Sequence, residues 1–195
     1  MHAVLDGHER DLITHVAQSA AFGYGSVRIE NFERIGQCHE KALAPVRTQI
    51  TVPLAPAEAF VLFTDGIDRW WLRSHHIGAA PLRTAVLEPR SGGRWYEVGE
   101  DGSEQSWGRV LAWEAPDRVV LAWQLNAEWT YDPDFETTVE VRFTPDGDHT
   151  IVDFEHRDLE RFGEKAEAVR GDYETGMDGG WRSLLDAYQK AAEAA

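Results

Sequence analysis

Tryptophan, arginine and histidine carry the chemistry this chain has to offer, and they cluster in adjacent segments. Trp107-Gly-Arg-Val-Leu-Ala-Trp113 is followed by the turn Glu114-Ala-Pro-Asp117 and then Arg118-Val-Val-Leu-Ala-Trp123-Gln-Leu125. Strand side chains alternate faces with period two. That alternation predicts one shared face for Trp107, Arg109, Leu111 and Trp113, and another for Val119, Leu121, Trp123 and Leu125. Indoles on neighbouring strands make either a bulky core or the wall of a cavity that stacks on a flat apolar ligand. Arg109, in the tryptophan phase, either meets an anionic ligand group or carboxylate inside the fold, or lies at a sheet edge with its stem over an indole. His156 shares a face with Val152 and Phe154. Facing inward, it serves as a hydrogen-bonding or proton-shuttling group near neutral pH; at a strand end, it bonds a backbone carbonyl.

Other candidates are weaker. His75-His76 are adjacent, so their rings diverge and chelate a metal poorly. Asp132, Asp134 and Glu136 flank Pro133 without a complete calcium-loop pattern. Asp153 and Glu155 fall on the face opposite His156. Gly92-Gly93 has no following Lys-Ser/Thr and opens no helix, so it reads as a hairpin turn. No nucleophile–base–orienter set is evident. No metal or cofactor is called for.

These residues need a scaffold. Val46–Val52 has alternating β-branched residues and predicts a strand. Ala55–Phe63 predicts a short helix with Pro56 in its first turn, and Asp68–Leu72 another helical turn. Strands follow over Leu82–Glu88, Arg94–Val98, Gln105–Trp113, Arg118–Leu125, Glu136–Thr144 and Thr150–His156, with Asp101-Gly102 as a hairpin turn. Trp181, Leu184, Leu185, Tyr188 and Ala192 recur at helical spacing, extended backward by Met177. Gly176, Gly179 and Gly180 each weaken that helix by up to about 1 kcal/mol against alanine, which points to a close approach there, such as helix to sheet. The order predicts an α+β domain, a curved antiparallel sheet folded around a long C-terminal helix.

Composition narrows the partners. The chain has 195 residues, one cysteine and a formal net charge of −15. That charge disfavours nucleic acid or an anionic membrane as partner. A lone Cys38 rules out an intrachain disulfide. No apolar run reaches the roughly 20 residues of a membrane span, and no signal peptide is evident, so a cytoplasmic location is expected. All eight tryptophans lie beyond Pro45. Residues 1–44 read as a separate, helical N-terminal extension with weak apolar stripes. The main domain spans 45–195.

Within 46–195 the chain resembles the START-like (SRPBCC) superfamily, and within it the homologues of the heat-shock-protein-ninety ATPase activator C-terminal domain. The resemblance rests on Pro56-Ala-Glu-Ala-Phe60 after the opening strand, Arg69-Trp-Trp71, Gly92-Gly-Arg-Trp95, Trp107-Gly-Arg-Val110 with Pro116 and Trp123, Phe154-Glu-His156, and Gly179-Gly-Trp181. It implies a helix-grip fold with a cavity between sheet and terminal helix. Members bind hydrophobic ligands; some are cyclases or dehydratases, and some are stress or resistance proteins. The ligand-binding set expected here is Trp107, Arg109, Leu111, Trp113, Leu121, Trp123, Phe154, His156, Trp181 and Leu185. The implied partner is a small hydrophobic or aromatic ligand. A cyclase-type enzyme with His156 as acid–base, and an interaction protein acting on a chaperone, are the alternatives. The chain is a monomer or a homodimer.

Overall fold

The computed structural model describes residues 43–172 and 174–195. The helical extension expected over 1–44 therefore lies, except for its last two residues, outside the described residues.

Seven strands form one antiparallel sheet: β1 (Val46–Val52), β2 (Leu82–Leu87), β3 (Arg94–Gly99), β4 (Glu104–Glu114), β5 (Arg118–Trp123), β6 (Thr137–Asp146) and β7 (His149–Arg157). Their spatial order is β1-β7-β6-β5-β4-β3-β2. Short turns such as Asp101-Gly102 join β2 through β5 in succession and β6 to β7, with Gly102 in the left-handed region that glycine tolerates. The chain's first strand returns to pair with its last, Val46 opposite His156. The sheet curls over a long terminal helix, which makes a helix-grip fold.

Helices α1 (Pro56–Phe63) and α2 (Ile67–Trp70) fill the link between β1 and β2. A 3-10 turn (Leu159–Lys165) and a short α3 (Ala166–Arg170) lie between β7 and the terminal α4 (Gly176–Glu193); no sequence pattern singled these two out. The α4 stripe is buried as its spacing demands: Met177, Trp181, Leu184, Leu185, Tyr188 and Ala192. Tyr188 donates its hydroxyl to the Ala59 carbonyl at 2.8 Å, which ties α4 to α1. Burial of that phenol raises its pKa.

β4 departs from strict alternation. Trp95 pairs with Gly108 but Tyr96 with Ser106, so Trp107 is an extra residue against β3. Val110 pairs with Leu121 but Ala112 with Val120, so Leu111 is an extra residue against β5. Each bulge shifts the phase by one. Trp107 is 2% exposed and Val110 is fully buried, whereas Arg109 turns outward. The expectation that Arg109 shares the face of Trp107 is therefore corrected. Leu111 is half-buried. The second bulge returns Trp113 to the core side, where it packs edge-on against Phe60 of α1 at 5.2 Å. Gly108 makes the kink possible. Its φ is 154°, and the Ala122 carbonyl stands where a Cβ would be.

Candidate functional site

A cavity of about 750 Å³ lies between the sheet and the first half of α4. Its wall is aromatic: Trp71 after α2, Trp107 on β4, Trp123 on β5, Trp129 in the β5–β6 loop and Trp181 on α4. Trp71 and Trp107 stack at 4.6 Å, and Trp123 meets Trp181 edge-on at 5.5 Å. Leu125, Ile77, Met177 and Leu184 add apolar surface. His75, His76, Glu128 and Thr130 supply the polar part.

The indoles are held by their nitrogens. Trp71 Nε1–H donates to the His75 carbonyl at 2.8 Å. Trp107 Nε1–H donates to the carboxylate of Glu97 at 2.8 Å. Glu97 is 2% exposed. It also accepts the backbone N–H groups of Ile77 (3.0 Å) and Gly78 (2.5 Å). One carboxylate thus orients a wall indole and anchors the loop that carries His75 and His76. Charged acceptors make the stronger hydrogen bonds, and these three compensate the burial of the Glu97 carboxylate. The indole nitrogens of Trp95 and Trp123 are buried without a partner among the described residues. Leaving such a donor unpaired costs roughly 1–3 kcal/mol.

His156 is fully buried. Trp181 Nε1–H donates to its Nδ1 at 3.0 Å. Nδ1 must then be the bare nitrogen, so Nε2 carries the hydrogen and donates to Thr137 Oγ1 at 2.8 Å. Burial holds the ring neutral, its pKa lowered from 6.5 to about 3. His156 is a positioning residue that fixes the indole of Trp181, with both nitrogens engaged and the ring outside the cavity lining.

Of the ten residues expected to bind a ligand, Trp107, Trp123 and Trp181 line the cavity. Phe154 packs against Trp181 at 4.5 Å, and Leu121 and Leu185 are core. Leu111 and Trp113 lie off the cavity wall. Arg109 is 48% exposed at its side chain and ion-paired with Glu136 at 2.6 Å. Its partner is thus a carboxylate on the surface. Trp71, Trp129, His75 and His76 are among the lining residues that the strand pattern missed, because all four sit outside regular strands. The Trp70-Trp71 pair just before His75-His76 was the available signal.

Gly180 borders the cavity, and a Cβ there would stand 3.8 Å from His75 Nε2, an ordinary contact. Gly179 differs: its Cβ would strike the backbone of Glu174. The close approach implied by the glycines is thus to the segment before α4 and not to the sheet.

The outer face of the sheet is charged and self-neutralised. Glu140, largely buried, is ion-paired with Arg157 at 3.0 Å and with Arg142, and Arg47 pairs with Glu155 at 2.6 Å. No helix among the described residues is long and apolar enough to cross a membrane.

A curled sheet gripping a terminal helix over an aromatic cavity defines a START-like, helix-grip protein. The family model described as Activator of Hsp90 ATPase homolog 1-like protein matches residues 53–193, and the chain belongs to that family. Among solved structures it is similar to CalC, a self-sacrificing resistance protein from Micromonospora echinospora, at 34% identity over 77% of this chain and 94% of that one, with a TM-score of 0.58. It is also similar to the anthrahydroquino-gamma-pyrone synthase Txn09, at 28% identity over 76% of this chain and 97% of that one, with a TM-score of 0.52. The Aha1 dimer from Colwellia psychrerythraea shares the fold at 15% identity over 77% of this chain and 97% of that one, with a TM-score of 0.53. A search of curated proteins found no match.

Proposed function

We propose that this protein binds a flat, largely apolar small molecule between its sheet and α4. The observation that carries this is the five-indole wall around a cavity of about 750 Å³, within the size range of small-molecule sites. Apolar burial supplies about 25 cal/mol per Å², before ordering costs, and stacking on indoles favours planar ligands. The likeness to an anthrahydroquino-gamma-pyrone synthase supports the same ligand class. A second reading, turnover of the bound molecule, draws on the synthase likeness and on the two histidines in the wall. The acid–base role first expected of His156 has no support in its sealed position.

The test is tryptophan fluorescence with a panel of planar aromatic compounds, beside native mass spectrometry of freshly purified protein. The expected result is saturable quenching by at least one compound, abolished in Gly180→Leu, whose side chain fills the cavity from α4. Absence of quenching across the panel and of any retained mass would overturn the proposal. Binding of a chaperone middle domain with equal affinity by wild type and Gly180→Leu would favour a surface interaction instead.

A further inference from the structure

The polar groups of the cavity wall differ in what they are free to do. Glu128 is ion-paired with Lys165. His76 Nδ1 lies 3.1 Å from the Gly78 carbonyl; a carbonyl only accepts, so that nitrogen carries the hydrogen and the ring is pinned to its own loop. His75 is placed otherwise. Its Nδ1 lies 3.2 Å from Ser74 Oγ. Its Nε2 makes no hydrogen bond to a described residue and is directed at α4 where Gly180 has no side chain, 3.8 Å from the position a Cβ would take. The His75 carbonyl is anchored by the indole of Trp71, so the ring's base is fixed to the same wall that stacks the ligand.

We propose that His75 is the proton-accepting group of this cavity, acting on an acidic hydroxyl of a bound flat aromatic molecule. The inference rests on the ligand-binding reading above. In the step, the ligand O–H bond breaks, its electron pair stays on oxygen, and the proton bonds to His75 Nε2. The resulting imidazolium donates from Nδ1 to Ser74 Oγ and pairs with the phenolate; reversal returns the proton. Burial lowers the His75 pKa below its ordinary 6.5, which keeps the ring neutral and able to accept at pH 7. The other titratable groups around it are His76 on its own loop, Glu128 in the cavity wall and the buried Glu97, which holds the backbone of the same loop; α4 contributes only Gly176, Met177, Gly180, Trp181 and Leu184 to the wall.

Alizarin, a dihydroxyanthraquinone whose absorption band shifts when a phenol ionises, is the probe, titrated into the full chain at a pH where the free dye is largely protonated. Indole quenching reports occupancy, and the phenolate band reports proton transfer. Wild type should quench and show the band. His75→Gln and His75→Asn should still quench but lose about tenfold of the phenolate, one unit in the bound dye's apparent pKa. His149→Gln, at the exposed start of β7 and away from the cavity wall, should keep both signals. Quenching without the band in wild type overturns the role of His75. So does a band that survives in both His75 variants, or one lost in His149→Gln alone. Loss of quenching in both His75 variants overturns it too, since His75 would then serve binding. No quenching in wild type overturns the cavity reading itself.

Discussion

A neutral imidazole between an indole and a hydroxyl is a rigid mount. His156 accepts from Trp181 and donates to Thr137, so it sets the angle at which Trp181 meets both Phe154 and the cavity. Replacing it with leucine strands a buried indole N–H and a buried hydroxyl. The expected cost is roughly 1–3 kcal/mol for each group left unpaired, read from urea unfolding. Glu97 is the second mount. Glu97→Leu should lower stability by more, because three N–H donors lose a charged acceptor worth about 1.5–3 kcal/mol in typical cases. It should also weaken ligand quenching, since the loop bearing His75 loses its anchor; unchanged quenching would show that the loop holds itself.

At the scale of elements, the two bulges in β4 decide which side chains reach the cavity. They exchange Arg109 for Val110 on the inner face and leave Trp107 and Trp123 near one another across the strand pair, Gly108 opposite Trp123. The adjacent glycines of α4 give a paired test. Gly180→Ala adds a methyl with room around it and should stabilise α4 by up to about 1 kcal/mol, the helix-propensity difference. Gly179→Ala drives a methyl into the Glu174 backbone and should destabilise the protein despite the same propensity gain. Thermal unfolding midpoints that move in the same direction for both would contradict this geometry. Strand and helix periods made the elements legible: β1 and α4 follow directly from residue spacing. Trp113 was expected in the ligand-binding set but packs on Phe60 of α1, because a period-two rule is silent about which helix covers which end of a curved sheet.

For the molecule as a whole, His156 couples folding to pH. Unfolded, its ring takes a proton near the ordinary 6.5; folded, burial holds it to about 3. Between those values the unfolded chain binds the extra proton, so stability falls as pH falls, by up to about 1.4 kcal/mol per pH unit, and this contribution is flat above 6.5. Urea midpoints compared at pH 7.5 and pH 5 should drop more in wild type than in His156→Gln. The carboxyls of Asp68 and Glu155, lowered by their arginine partners against the opposing effect of burial, contribute stability lost only further into acid, so they do not mimic the effect in that window. An equal drop in both proteins would mean that His156 is not neutral in the fold.

Sequence by itself determined the α+β order, the antiparallel strands and the apolar stripe of α4, because periodicity and turn chemistry are local properties of the chain, while the family was legible only through its resemblance in motifs such as Arg69-Trp-Trp71 and Gly179-Gly-Trp181. It also marked the tryptophans as the material of the interior. Tertiary structure alone decided what those indoles enclose. A bulge at Trp107, fixed by pairing with β3, turned Arg109 out to Glu136, and a second at Leu111, fixed by pairing with β5, returned Trp113 to the core side. The packing of α4 sealed His156 behind Trp181. The loop after Trp71, held by a carboxylate twenty residues away in the chain, brought His75 to the cavity. None of these is encoded in a spacing, since each depends on which distant backbone lies alongside.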